Sequence, residues 1–232
     1  MVATTQTKAT LDFQNLRVID LSKRLDPTTE RRRCVLRRYL ASTNGVTGYW
    51  SDIDIMSHLG THLEFPYHQR EEWKDGSKIP VEKFVGRGVL LNLLAARPRQ
   101  PIRQSDLDAA NRGRVQRGDV VLLDSPYRSE PFVPSPDDQR PDLSEESAHW
   151  FLKKGVKCVG WGDGIAIENY AEGCIPFHDI LLGNDILLLE VVVGLNLLRD
   201  EIFMVAFAPL PIVGLDSCPV RVLAIEGLDF AS

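Results

Sequence analysis

Four side chains of types that bind metals lie close together in the segment Ser57–His68. They are His58, His62, Glu64 and His68, and they include three of the five histidines in the chain. All four stand at even-numbered positions. Because side chains alternate between the two faces of an extended chain, these four would share one face.

Gly60 and Pro66 both disfavour a helix in this segment. We therefore predict the end of a strand followed by an extended loop. Four ionisable groups on one face are costly to pack without a counter-charge, and a divalent cation is the simplest compensation. Neutral imidazole and carboxylate are ligands for zinc, and they also suit manganese or iron.

A metal held by these residues would favour hydrolysis. Three protein ligands leave one coordination position for water, and metal binding lowers the pKa of that water to about 7. Hydroxide would then be available at neutral pH to attack a carbonyl, and the fourth side chain could act as general base or acid. A structural zinc site is the alternative, but such sites usually contain cysteine, which this segment lacks.

A second pair, His178 and Glu190, strengthens the prediction of a metal site. Glu190 interrupts the apolar run 186–193, where a carboxylate is costly unless it is paired or bound to a metal. A buried salt bridge is the alternative for Glu190. His178 precedes this run in a predicted loop, where it could also be simply exposed to solvent.

Apolar runs and turn residues predict a strand-rich α/β domain over residues 16–232, after a mobile tail at 1–15. Helices are expected at Ser105–Asn111, with Ser105 as N-cap, and at Leu143–Lys154, with Ser144 as N-cap. A proline-rich loop at 127–142 could cover the active site of a neighbouring subunit. Strands are predicted at 16–21, 48–57, 85–94, 118–125, 156–161, 186–193, 202–209 and 220–225.

Composition restricts the classes of partner that the chain could bind. The net charge of −5 gives no basic face for nucleic acid, and the arginines within 31–38 predict a solvated or subunit-facing surface. No run approaches the roughly 20 apolar residues that span a bilayer, so we expect no membrane partner. The N-terminus has no secretory signal, and the four cysteines form no CxxC pair. A cytoplasmic location with reduced thiols is therefore expected.

The segment from His58 to His68 resembles the signature H-x-G-T-H-x-D-x-P-x-H of the cyclase family of metal-dependent hydrolases, which includes bacterial kynurenine formamidase and isatin hydrolase. Six of the seven fixed positions match, and Glu64 replaces the aspartate. The similarity extends from about residue 16 to 226. It includes the strand at 118–125, a glycine-aspartate turn with Asp163, the segment 178–190 and the C-terminal strands at 211–225.

The resemblance implies a role for each residue. His58, His62 and Glu64 would bind a first metal, and Glu64, His178 and Glu190 a second, with the acid at 64 bridging. His68 would be the catalytic general base or proton shuttle. Zinc, as one or two ions, is the expected cofactor, and manganese is possible. The implied fold is the swivelling β/β/α arrangement, assembled as a homodimer or homotetramer.

Glutamate at position 64 departs from the family pattern. Its side chain is one methylene longer than that of aspartate, so it could alter the metal separation or abolish the second site. The site could then be mononuclear, prefer manganese or lack activity.

The predicted reaction is metal-assisted hydrolysis of an amide, lactam, lactone or ester by activated water, with His68 carrying the proton. Aromatic residues near the motif predict a pocket for a small aromatic or cyclic substrate. They are Tyr49, Trp50, Phe65, Tyr67 and Trp73. Core packing is the alternative for each of them, and Trp50 and Phe65 fit it as well as they fit a pocket. Two other functions remain open: a polyketide-type cyclase or dehydratase, and a metal-binding protein without activity.

Overall fold

The computed structural model describes residues 15–131, 135–166 and 173–230, and these residues form one curled sheet, a separate ribbon and three α-helices. The strands are β1 (Arg17–Asp20), β2 (Cys34–Thr43), β3 (Val46–Ile55), β4 (His62–Glu64), β5 (Val85–Asn92), β6 (Val120–Asp124), β7 (Cys158–Gly162), β8 (Leu187–Val192), β9 (Ile202–Phe207), β10 (Ser217–Pro219) and β11 (Val222–Glu226). The helices are α1 (Gln104–Asn111), α2 (Glu145–Lys154) and α3 (Ile175–Leu182). In the sheet the order is β1-β11-β9-β5-β6-β7-β8-β4-β10, and β2 pairs with β3 in the ribbon.

Both faces of the sheet are buried at its centre, where β5, β6, β7 and β8 run parallel. Along β6, Val121 and Leu123 pack in the core that also contains residues of α1, α2 and α3. Val120 and Leu122 pack in a second core, formed where the sheet curls over its other face. This explains why the sequence of β6 is apolar throughout rather than alternating. The predicted strand-rich α/β class is confirmed.

The helix predicted at 143–154 is present as α2. Ser144 is its N-cap and accepts a hydrogen bond from the backbone N–H of Ser147 (3.0 Å). The cap predicted for α1 is wrong, because the helix begins at Gln104 and its N-cap is Arg103, two residues before Ser105. There the Asp106 carboxylate accepts the backbone N–H of Arg103 (2.9 Å).

Two structural predictions near the candidate metal ligands are wrong, and a proline is involved in both. His178 lies in α3 rather than in a loop, and Pro176 is tolerated in the first turn of that helix. Pro66 likewise begins one turn of 3-10 helix, Pro66–His68, where an extended loop was expected. A proline in a first turn has no N–H to lose from the helical hydrogen bonds, so it does not terminate the helix there.

The ribbon of β2 and β3 is the part of the fold that differs most from the sequence-based predictions. No strand was predicted within residues 34–43, yet they form β2 and pair along their whole length with β3. Apolar and polar residues alternate in the strand predicted at 48–57, which is typical of a half-buried strand, but most residues of β2 and β3 are exposed. Its exposed large apolar side chains are Val35, Leu36, Tyr39, Leu40, Val46, Tyr49, Trp50, Ile53 and Ile55.

A β-bulge interrupts the pairing of β7 with β8 beside the candidate site. Gly160 lies opposite Leu189 but Gly162 lies opposite Val192, so β8 contains one additional residue. Val191 adopts a φ of 57°, which is rare for a β-branched residue. A Cβ on Gly162 would lie 1.6 Å from the Val192 carbonyl oxygen, so only glycine fits there. Bulges of this kind redirect side chains next to active sites, and here the redirected segment includes Glu190.

Of the predicted tail at 1–15, the structure describes Asn15 alone. Among the described residues, no helix has the length and apolar character needed to cross a membrane.

Candidate metal centre

Strand β4 carries the first two buried ligand candidates. It lies between β8 and β10, with His62 opposite Glu190 and Glu64 opposite Ser217. The alternation of side chains along a strand places His62 and Glu64 on the same face. Across the strands, His62 Nε2 lies 3.5 Å from Glu190 Oε2 and 3.7 Å from Glu64 Oε1.

His58 reaches the same site from the turn before β4. Its Nδ1 lies 2.9 Å from Glu64 Oε1, and its Nε2 lies 2.7 Å from Asp216 Oδ2. Gly60 makes the turn possible, because it has a φ of 59° and a Cβ there would lie 2.5 Å from the Leu25 side chain. His58 is therefore held between two carboxylates.

His178 approaches from the opposite side, from α3. Its Nε2 lies 3.2 Å from Glu64 Oε2 and 3.1 Å from Glu190 Oε1. Its Nδ1 lies 2.6 Å from the backbone carbonyl oxygen of Cys174, one helical turn earlier. The two oxygens of Glu64 thus face different histidines, Oε1 towards His58 and Oε2 towards His178.

His68, at the end of the 3-10 turn, is the most exposed of these histidines, with 30% of its side chain accessible. Its Nε2 lies 3.8 Å from Glu64 Oε1 and its Nδ1 lies 3.5 Å from Asp216 Oδ2. The rings of His58 and His68 are 4.5 Å apart between centroids. The structure therefore brings together all six residues predicted from the sequence as metal ligands or proton carrier.

Backbone carbonyl groups fix the protons of two of these rings. A carbonyl oxygen can only accept a hydrogen bond, so Nδ1 of His62, 2.7 Å from the Gly60 carbonyl, must carry a proton. The same holds for Nδ1 of His178 beside Cys174. In a neutral ring, Nε2 then presents a lone pair, and both lone pairs face carboxylate oxygens. Acceptors in this arrangement repel each other unless a proton or a metal ion lies between them.

The donor set fits a divalent cation. His62 Nε2 and Glu64 Oε2 are buried polar atoms without a hydrogen bond among the described residues. The ligand atoms of His62, Glu64 and Glu190 lie within 4.8 Å of one another, as do those of His58, Glu64 and His68. Buried polar atoms are costly to leave unpaired, and a shared cation would satisfy them together.

Protons hold the cluster together when no cation is bound. Burial alone would lower the pKa of His58, but hydrogen bonds to Asp216 and Glu64 outweigh it and raise the pKa to about 9. For His178 burial also opposes the charge, yet its hydrogen-bond partners raise its pKa well above the usual range. Burial would raise the pKa of Glu64, but the histidines hold it well below the usual range. A metal ion must therefore displace protons from these imidazoles.

A cavity of about 530 Å³ opens onto the cluster, a volume suited to a small molecule. Its apolar wall contains Met56 and Ile175, and Arg32 and Gln69 contribute polar groups. Of the residues outside the cluster, Ser57, Cys174 and Asp216 also line it.

The aromatic residues predicted to bind substrate do not line this cavity. Phe65 follows Glu64 in the chain, so its side chain turns to the opposite face and is fully buried in the core. Trp50 lies on the exposed ribbon beside Tyr49. Trp73 packs near Gly183, and Tyr67 is half-buried.

Sequence reasoning missed Asp216 and Arg32 as site residues. Asp216 lies 148 positions after His68 in the chain, and only the pairing of β10 with β4 brings it to the cluster. Arg32 belongs to the basic segment interpreted as surface, yet it donates a hydrogen bond to the His58 carbonyl oxygen. Neither residue carries a local pattern that indicates a site. Asp163 pairs with Arg128 (3.0 Å) outside the cluster.

Comparison with known proteins places the chain in a family. The model of the Cyclase family matches residues 19–169. The chain belongs to the Cyclase family. The kynurenine formamidase of Salinibacter ruber (strain DSM 13855 / M31) is 28% identical over 180 residues, which cover 75% of this chain and 79% of that protein.

Solved structures with Cyclase-type folds superpose well on the chain. Isatin hydrolase A from Ralstonia solanacearum gives a TM-score of 0.73 at 22% identity, covering 94% of this chain and 99% of its own. Isatin hydrolase A from Labrenzia aggregata, bound to benzyl benzoate, gives 0.72 at 22% identity, covering 91% and 94%. These similarities confirm the predicted fold.

The raised pKa of His58 predicts that rising pH lowers the stability of the metal-free protein but strengthens metal binding. A folded-state pKa of about 9, against a usual value of about 6.5, stabilises the metal-free fold below pH 6.5. That contribution is lost as pH rises towards 9. Metal affinity should instead rise over the same range, because fewer protons compete. We therefore expect the increase in Tm on adding zinc or manganese to grow with pH.

Differential scanning fluorimetry at several pH values, with and without metal, measures this effect. An increase in Tm that is constant or shrinks as pH rises from 6.5 to 9 would contradict the proposed competition between protons and metal at His58.

Proposed function

We propose that this Cyclase-family chain is a metal-dependent hydrolase that cleaves the C–N or C–O bond of an amide, lactam, lactone or ester in a small cyclic or aromatic substrate. One observation carries the proposal: the Nε2 atoms of His62 and His178, on rings whose Nδ1 protons point to backbone carbonyl groups, face buried carboxylates beside a cavity of small-molecule size. The names of the similar proteins, kynurenine formamidase and isatin hydrolase, support hydrolysis of a bond to a carbonyl carbon.

His58, His62 and Glu64 would hold one divalent cation, and Glu64, His178 and Glu190 a second. The contacts of Glu64 support this sharing, since its two oxygens already face different histidines. The longer side chain at position 64 is thus compatible with a bridging role. We expect zinc, because imidazole and carboxylate are its usual ligands, while manganese suits the same donors. A bound cation would act as a Lewis acid that acidifies water and polarises the scissile carbonyl group.

His68 is the proposed proton carrier. It is the most exposed histidine of the cluster, and it lines the cavity. Its Nε2 would accept the proton of the attacking water as the new C–O bond forms. It would then give that proton to the leaving nitrogen or oxygen as the old bond breaks, so the net change is the addition of one water.

The walls of the cavity favour a flat, mostly apolar substrate. Met56 and Ile175 can contact a ring, since the flexible thioether of methionine adapts to varied shapes. Gln69 and Arg32 supply hydrogen-bond donors near the histidines. This combination fits a ring that carries the scissile carbonyl group.

Replacing His68 with alanine tests the proton transfer. General acid–base catalysis typically contributes a factor of about 10²–10⁴. We therefore expect kcat of His68→Ala to fall by that order for hydrolysed members of a panel of aryl formamides, lactams, lactones and esters. The bound metal should stay unchanged. His149→Ala is the matched control, because His149 is exposed on α2 and pairs only loosely with Glu145 (3.6 Å).

Mass spectrometry of the products distinguishes the alternatives in the same assay. A gain of one water supports hydrolysis, whereas products without added water would indicate a cyclase or dehydratase. No turnover of any panel member by metal-loaded wild-type protein would favour a non-catalytic metal-binding protein, and full activity of His68→Ala would remove its assigned role.

We also propose that the chain assembles as a homodimer or homotetramer through the ribbon. Leu40 and Tyr49, which lie opposite each other on one face of the ribbon, are 62% and 70% exposed. Contiguous apolar surface of this kind is typical of protein interfaces. A second copy of the chain is the simplest cover for it, because burial of these side chains would offset the cost of association.

Substituting a ribbon residue tests this assembly. Leu40→Glu should shift the mass measured by light scattering after size exclusion towards the monomer, because a carboxylate at the interface is costly to bury. Val81→Glu, at a 71% exposed site outside the ribbon, should leave the mass unchanged. A monomeric wild-type protein, or an unchanged mass for Leu40→Glu, would contradict the proposal.

A further inference from the structure

Asp216 occupies a special place in the candidate site because one of its oxygens contacts two histidines. Oδ2 lies 2.7 Å from His58 Nε2 and 3.5 Å from His68 Nδ1. Within the described ranges, no lysine or arginine forms a salt bridge with Asp216. Its charge therefore acts on the histidines.

The backbone holds Asp216 in a fixed relation to Glu64. Asp216 immediately precedes β10, in which Ser217 pairs with Glu64. Its carbonyl oxygen also accepts the backbone N–H of Phe65 (3.0 Å). One carboxylate thus lies on β4 and the other just before the neighbouring β10, with the rings of His58 and His68 contacting both.

At His58, this arrangement selects the ring nitrogen that can bind a metal. An ionised carboxylate accepts hydrogen bonds, so Nε2 carries the proton that is shared with Asp216. Nδ1, which faces Glu64 at 2.9 Å, is left to donate its lone pair. Carboxylates that contact ligand histidines in this way orient the ring and raise its basicity as a ligand.

At His68, the same oxygen lies on the Nδ1 side of the ring. The contact of 3.5 Å is longer than a good hydrogen bond, but it still favours a proton on Nδ1 electrostatically. Nε2, on the side of Glu64, then has a free lone pair. This is the arrangement of a base held by an orienting acid, and such contacts often tighten when substrate binds.

We propose that Asp216 is a positioning residue that orients His58 for metal binding and His68 for proton transfer through a single carboxylate oxygen. The catalytic half of the inference, which concerns His68, rests on the proposed hydrolase function. The other half, which concerns His58, rests on the geometry of the metal site alone.

The Asp216→Asn variant tests both halves without requiring turnover. In zinc-loaded wild-type protein, long-range ¹H–¹⁵N NMR spectra of the histidine rings should show the His68 proton on Nδ1. In Asp216→Asn we expect a shift towards the Nε2-protonated form, because an amide does not specifically favour a proton on Nδ1. Zinc affinity, measured by chelator competition, should fall by about 10–100-fold.

Asp20→Asn is the matched control. Asp20 has a similar side-chain exposure, 40% against 34% for Asp216, and its salt-bridge partner is Arg221. It does not line the cavity onto which the histidines open. Neither the histidine spectra nor the zinc affinity should change in this variant. If Asp216→Asn fails to fold by circular dichroism, Asp216→Glu, which keeps the charge but moves it, serves in its place and should show smaller changes in the same direction.

A double-mutant cycle tests the catalytic half. At saturating metal, Asp216→Asn should lower kcat by about 10–100-fold and change KM less than about threefold. In the His68→Ala background it should have almost no further effect on kcat, because the base that it orients is gone. A purely structural role would instead lower kcat equally in both backgrounds.

The outcomes separate the two proposals. Absence of turnover in the wild type would refute the hydrolase function, while the NMR spectra and zinc affinity would still report on Asp216. Unchanged ring protonation and unchanged zinc affinity in Asp216→Asn, or equal losses of kcat in both backgrounds, would overturn the positioning role.

Discussion

The site depends on a conflict between hydrogen-bond acceptors that only a proton or a metal ion resolves. Backbone carbonyl groups hold the protons of His62 and His178 on Nδ1, so both Nε2 atoms point their lone pairs at the oxygens of Glu64 and Glu190. Burial leaves little water to separate these groups. A proton or a divalent metal must bridge them, because unpaired buried charges and lone pairs cost several kcal/mol each.

The fold brings these groups together through the pairing of neighbouring strands and through the local backbone geometry of β8. Strand β4 has three residues, yet it lies between β8 and β10 and so meets Glu190 on one side and the Asp216 segment on the other. The bulge at Val191 and the missing side chain of Gly162 determine the path of β8 at Glu190. Helix α3 then covers the cluster with His178. Strand pairing, the bulge and α3 together therefore position the histidines and carboxylates of the cluster.

The sequence was sufficient to predict which histidines and carboxylates come together, but not their surroundings. The even spacing of His62 and Glu64 reflects alternation along β4, and this alternation is a local property that sequence reveals. His58 instead reaches the cluster from the turn before β4. The charge of Glu190 within an apolar strand is equally local. The class of fold follows from the continuous apolar runs of β6 and β8, since both faces of a central parallel strand are buried.

The features that the sequence did not predict depend on pairing between residues far apart in the chain, or on where a residue stands within its element. Asp216 joins the site only through the register of β10 with β4, and no pattern near it signals that contact. Pro66 was interpreted as a helix breaker, although a proline in the first turn of a helix is tolerated. Phe65 was assigned to the substrate pocket because it is near the motif in sequence, but its odd position sends it to the opposite face. In the same way, the ribbon carries polar and basic residues whose pairing no periodicity revealed.

The bridging cation is the central claim, and metal stoichiometry tests it most directly. Purified protein incubated with excess zinc or manganese and then dialysed should retain about one or two equivalents per chain by inductively coupled plasma mass spectrometry. His62→Ala should lose most of this metal, and His149→Ala should retain it. A folded wild-type protein that retains no metal after such incubation, or a His62→Ala variant that binds as much as the wild type, would contradict the account.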